Sequence, residues 1–359
     1  MFFRIPPFAR VLRVPAALLL LIMALPGQAL TFCVGNALEL ANALNSAAAS
    51  PDTSIYINIL KGTYTGNFSL SVNHPGQVYL SGGWSSLPNS PCNLQSFGAD
   101  GTTLIGMANS TALTTQFTVS SSAAYVSDLT ISNPNNGRCV DANNTGGGNY
   151  LRFERMKLKQ CVASMNNASG LFVNNGGNIH LRDMVVVDSQ GPDNGGIRVT
   201  TSSGTTWLSH LSITRTTSTN PLSAVSGVNI IHNGGQIYFT NSVIWGNDPD
   251  QVTNDIYVTN SGGTDALSRI HYGKLGGNVP PGNIDMSGTG APGLSALGDP
   301  VPLSGSVLID SAIANPPGPG GAGEMDVTGL PRVIGAAPDV GAYEVDRLFY
   351  DGFDTPCCS

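Results

Sequence analysis

An all-β solenoid, a right-handed parallel β-helix with three short strands in each coil of about 28 residues, is the fold this sequence predicts. Three observations predict it. Six segments share the pattern apolar-x-x-apolar-x-apolar: "VSDLTI", "FERMKL", "LRDMVV", "LSHLSI", "FTNSVI" and "LSRIHY", beginning at Val126, Phe153, Leu181, Leu208, Phe239 and Leu267. Their successive intervals run from 27 to 31 residues, the period of a repeat whose units bury their apolar faces by stacking. Between them recurs a second set, "GLFV", "GIRV", "GVNI" and "DIYV", each followed by a polar, Gly-bearing stretch. Finally, charged residues make up only 11% of the chain, and Gly, Asn, Ser and Thr dominate its polar positions. Short strands and turns suit that composition better than long helices do.

At the N-terminus, Arg4, Arg10 and Arg13 precede the apolar run Ala16 to Leu25, and "PGQA" ends on a small residue. Such a run is too short for a bilayer span, so residues 1–29 read as a secretory signal cleaved after Ala29. No other long apolar run follows, so no transmembrane span is expected in the mature chain. The expected location is secreted or cell-surface. "ALELANALNSAA" (Ala37 to Ala48) has helical spacing and would cover the open end of the solenoid. "SIYINILKGTYTG", "NFSLSV" and "QVYLSGGW" are earlier, less regular coils of a body spanning residues 30–300.

Six cysteines follow the signal: Cys33, Cys92, Cys139, Cys161, Cys357 and Cys358. None forms a CxxC pair, so zinc and thioredoxin-like chemistry have little support, and disulfides are the default for an exported chain. Order along the chain suggests Cys33–Cys92 and Cys139–Cys161, although order does not establish connectivity. The formal charge is −7 and there is no basic run, which argues against nucleic acid as a partner.

The C-terminal stretch, residues 301–359, contains "MDVTGLPRVIGAAPDVGAYE". It resembles the ending of bacterial surface proteins with a choice-of-anchor Q domain, in which D-x-x-G-x-x-R leads into G-x-x-x-D-x-G-A-x-E after a pectin-lyase-like β-helix. The matching residues are Asp326, Gly329, Arg332, Gly335, Asp339, Gly341, Ala342 and Glu344. "GSVLIDSA" (Gly305 to Ala312) is similar to that family's SPAIDAG, departing from it at Gly305 and Ser306. "RLFYDGFD" is similar to a short terminus of some exported proteins. The resemblance implies an exported or surface protein and carries no catalytic residues. From the residues alone, Arg332 has Asp326 or Asp339 as candidate ion-pair partners in a structural clasp.

Stacking turns equivalent positions into columns. The outward column of the "GIRV" strand reads Phe172, Arg198, Asn229 and Tyr257, with none of the paired carboxylates a hydrolase needs. The corner before the third strand reads Asp128, Arg155, Asp183, His210, Asn241 and Arg269. Asp128 and Asp183, two coils apart, have a spacing near that of inverting glycosidases. Arg155 between them points instead to a solvated charge ladder. "GNDPDQVTND" offers Asp248, Asp250 and Asp255, in no recognised calcium spacing, so these read as solvated turn carboxylates. The second strand gives the most informative column: Tyr125, Arg152, His180, Trp207 and Tyr238, then Ala266. A contiguous aromatic and planar-cationic strip is the candidate glycan site. No metal site, cofactor or catalytic residue is expected. The leading expectation is a non-catalytic exported protein binding extracellular glycans or mediating surface contacts. The alternatives are a polysaccharide lyase or glycoside hydrolase on the same fold, and a purely structural surface protein.

Overall fold

The computed structural model describes residues 29–87, 90–164, 168–220, 225–247, 253–278, 284–286 and 290–345. The apolar run of the expected signal, the "RLFYDGFD" stretch, Cys357, Cys358, Asp248 and Asp250 lie outside the described residues.

Stacked coils form a β-solenoid of about 8 turns of roughly 28 residues. Among the described residues, its strands make one 13-stranded and one 8-stranded sheet, with a two-stranded side sheet at a swollen corner. The smaller sheet carries the "GIRV" type strands, such as Leu171–Asn175 and Ile197–Thr201. In the larger sheet the second and third expected strands of a coil are halves of one bent strand, as in Asn178–Val187 and Thr205–Thr214.

The bend falls on the corner column. Asp128, Arg155, Asp183, His210, Asn241 and Arg269 all have φ between 49° and 60°, the left-handed region that redirects a strand in one residue. The ladder skips this residue: Glu154 pairs with Arg182 and Met156 with Met184. Inward side chains alternate on both sides of the bend, and Leu129, Met156, Met184, Leu211 and Ile213 are buried in one continuous apolar core. Thr130 is half-buried, whereas Ser212 points away from the coil yet is buried beneath another segment.

The helix Ala37–Ala49 begins at Asn36, whose side chain accepts from the Glu39 amide at 2.9 Å. It buries Leu40, Ala43, Leu44 and Ala47 along one face and packs on Phe68–Val72, the edge strand of the smaller sheet. That placement covers backbone groups which would otherwise remain open to pairing.

Two additions decorate the solenoid. After Ser81, the strand Gln77–Leu87 leaves the coil and returns antiparallel as Ser90–Gln95, making a hairpin arm. A Cys33–Cys92 disulfide joins the arm to the first strand, Leu30–Val34, and a Cys139–Cys161 disulfide staples a corner. Residues 290–345 then run back along the third face. There the outward Val185, Val187 and Val243 are buried against Val327, Val340, Ala342 and Tyr343. Lys157, also outward, is 1% exposed and bound to Asp100 and Asp299 at 2.7 and 2.6 Å. These side chains are apolar or ion-paired because the C-terminal segment covers them.

Three expectations are corrected by these contacts. Arg332 pairs with neither Asp326 nor Asp339. It reaches back to Asp183 and donates to the Gly341 and Ala342 carbonyls at 3.1 and 3.0 Å. Asp326 instead caps a turn, accepting from the amides of Thr328 and Leu330, while Asp339 accepts from the amides of Asp310 and Val345. The corner column is not a solvated ladder: Asp128 and Asp183 are both fully buried. Asp255 is likewise buried, accepting hydrogen bonds from Asn247, Gly273 and Lys274 that hold its loop.

Candidate functional site: an aromatic cleft beside the hairpin arm

In-register parallel stacking places each outward side chain above its equivalent one coil away. The ladder therefore runs from Tyr56 through Tyr79, Tyr125, Arg152, His180, Trp207 and Tyr238 to Ala266. Two of these, Tyr56 and Tyr79, escape a reading of the sequence that starts at the regular repeat. Their signal is nonetheless present, since "IYIN", "VYLS" and "AYVS" align residue for residue.

Tyr56, Tyr79 and Tyr125 stack with centroids 4.7 Å apart and planes within 7° of parallel. Their facing surfaces are occupied by one another, so edges and hydroxyl oxygens remain for a ligand. The Tyr79 hydroxyl already donates to Gln77 Oε1. Burial, and then the neighbouring phenols of Tyr125 and Tyr56, push the Tyr79 hydroxyl above its ordinary pKa. It therefore keeps its proton across neutral and mildly alkaline pH.

The tyrosines floor a cleft of ≈ 490 Å³. Trp84, Gln95 and Phe97, on and just after the arm, line it, and Asn58, Ser81 and Ser127 form a polar column beside the rings. The Trp84 indole N–H donates to Ser81 Oγ at 2.9 Å. At one end Arg155 grips Asp128 through Nε and Nη2 at 2.7 and 2.9 Å, with its guanidinium 5.6 Å from the Phe97 ring centre. Asp128 also accepts from the Gly98 amide at 2.7 Å.

Phe97 and Arg155 are shared with a second hollow of ≈ 440 Å³, lined also by Arg152, Glu154, Arg182, Pro319, Gly320 and residues 323–325. Burial works to raise the Glu154 carboxyl, but the guanidiniums of Arg182, Arg155 and Arg152 overcome it and bring the pKa to about 2. Deeper in, burial pushes Asp183 up to about 7 against the pull of Arg332 and Arg182. That carboxyl lies beneath the C-terminal segment, outside both hollows.

The other half of the expected strip is partly covered. His180 is fully buried; burial, then Arg182 and Arg152, lower its pKa to about 3, so the ring is neutral. Its Nε2 lies 3.3 Å from Ser209 Oγ. Trp207 tilts against it, with ring centres 6.1 Å apart, and Tyr238 is half-buried one coil further on. On the opposite sheet, Phe172, Arg198, Asn229 and Tyr257 do share one ladder, which Asp141 extends by a coil. Asp141 pairs with Arg138 at 2.8 Å, and Arg138 and Arg198 lie 5.1 and 5.9 Å from the Phe172 ring centre.

Among the described residues no group of three His, Cys, Asp or Glu side chains is placed to hold a metal ion, and no helix is long and apolar enough to cross a membrane. Compared with known protein families, curated proteins and solved structures, the chain matches none.

Proposed function

We propose that this is an exported, non-catalytic surface protein that binds linear glycans in the tyrosine-floored cleft. One observation carries the reading: three parallel tyrosines flanked by a polar column lie in an open cleft beside Trp84 and Phe97. Sugars present alternating apolar C–H and hydroxyl surfaces, which the aromatic walls and the phenol, Asn and Ser groups complement. The repeat gives a polymer with a similar rise per unit a matching row of contacts. The C-terminal resemblance to choice-of-anchor Q proteins and the two disulfides favour export.

The competing reading is a polysaccharide lyase or glycoside hydrolase. A hydrolase needs one carboxyl able to give a proton and another to act as base or nucleophile. Glu154, held at about 2, is a poor acid at neutral pH, and Asp128 is engaged by Arg155 and the Gly98 amide. A glycan array, run with assays for new reducing ends and unsaturated products, tests both. We expect retention of a linear glycan without cleavage, and retention lost in Tyr79→Ala. Product release would replace binding by catalysis; an array without hits would remove the glycan reading.

A further inference from the structure

The aromatic ladder does not stop at the cleft. Beyond Arg152 it passes under residues 314–325, a strap with the sequence "ANPPGPGGAGEM". Both strap ends are tied firmly. Asn241 donates to the Ile313 carbonyl and accepts from the Ile313 amide, each at 2.8 Å, and Asp326 is held in its turn by four donors. Between those ties the described contacts to the solenoid are few. Arg182 Nη1 donates to the carbonyls of Gly320 and Gly321 at 3.1 and 3.4 Å. Of the strap side chains only Pro316 and Ala322 are buried.

Gly318 rests directly on the ladder. A Cβ built there would lie 3.1 Å from Trp207 Cδ1 and 3.5 Å from His180 Cε1, and its φ of +134° suits glycine. Beneath the strap, His180 Nδ1 is buried without a hydrogen-bond partner. Once the strap is displaced, His180 Nδ1 can meet a ligand hydroxyl.

We infer that residues 314–325 form a removable cover over a second glycan subsite, centred on His180 and Trp207 and continuous with the tyrosine cleft. This rests on the glycan reading of that cleft. With the strap lifted, the ladder from Tyr56 to Tyr238 spans six coil steps, about 29 Å at ~4.8 Å each. Short oligosaccharides use the tyrosine cleft alone; long ones displace the strap and engage Trp207.

The test measures hydrogen–deuterium exchange of the strap amides with cellobiose, long cello-oligosaccharides, and short and long oligogalacturonates as probes. Wild type, Gly318→Ala and Trp207→Ala are compared, each checked for an unchanged melting temperature. We expect long probes alone to change exchange at Gly320 to Glu324. Gly318→Ala, which presses the strap off Trp207, should raise affinity for long probes at least threefold and leave short ones unaffected. Trp207→Ala should weaken only the long probes, about tenfold. If short probes bind but long ones leave strap exchange and the Trp207 dependence unchanged, the cover is static and this inference fails alone. If no probe of either length binds, the glycan reading fails and takes the subsite with it.

Discussion

Arg332 and Asp183 show most clearly what single residues contribute. Each is buried, and the direct contact between them is one that would be costly to break from one side. Arg332→Met should therefore destabilise the protein by about 3–5 kcal/mol, because Asp183 loses its partner. Adding Asp183→Leu should restore most of that loss, since an apolar pair no longer buries an isolated charge; chemical denaturation of the two variants decides it. Nothing local in the sequence announces this pair. Its members are 149 positions apart and belong to different structural layers, so the nearer Asp326 and Asp339 are the natural expectation. Tyr79 gives the complementary case. Tyr79→Phe keeps the ring stack and removes one hydroxyl, so melting should be nearly unchanged while glycan retention falls severalfold. A fall in both would mean that the stack serves stability more than binding.

At the scale of elements, what repeats was legible and what interrupts the repeat was not. The inward register, the corner column and the Tyr125–Tyr238 ladder all follow from a period of about 28 residues. The hairpin arm is an insertion that lengthens one coil, and it hides the alignment of Tyr56 and Tyr79 with Tyr125. Buried outward valines on the third face were missed for a similar reason: periodicity says which way a side chain points, not what later covers it. The arm makes its own prediction. Closing the 59-residue separation between Cys33 and Cys92 contributes about 4 kcal/mol by chain entropy. Cys92→Ser should lower stability by up to that amount and free the arm, weakening glycan retention through Trp84 and Phe97. Met184→Asp, which puts an unpaired charge in the core, should instead unfold several coils, seen as lost cooperativity in melting.

At the scale of the whole molecule, two sets of carboxyls oppose each other as pH changes. Burial raises Asp183 and Glu344 to about 7 and Asp339 to about 6, above the ordinary value near 4. Their protonated forms favour the fold, so that stability is complete below about pH 4 and is lost as pH rises through 7. Glu154 and Asp299 behave in the opposite sense. Burial acts to raise both, but arginines and lysines respectively bring them to about 2, so their contribution is present above about pH 4 and lost as pH falls toward 2. The buried His180 and His210, whose neutral forms favour the fold, lose stability as pH falls below about 6.5 while the raised carboxyls gain it. Melting temperature should therefore form a plateau between about pH 4 and 6 and decline on both sides. Asp183→Asn should flatten the neutral limb, and a peak near pH 8 would contradict this assignment. Asp183 joins the C-terminal segment to the solenoid through Arg332, and Glu344 and Asp339 hold turns within that segment. The segment should therefore loosen first as pH rises, as proteolysis at neutral and acid pH can establish.

The Tyr56–Tyr79–Tyr125 stack has an optical consequence. Three parallel phenols held one coil apart couple their electronic transitions, so their near-ultraviolet circular dichroism should differ from the sum of isolated tyrosines. Because the coupling depends steeply on distance and angle, the protein carries a built-in spectroscopic ruler for coil spacing beneath the cleft. It can be read without a label, whatever the ligand proves to be.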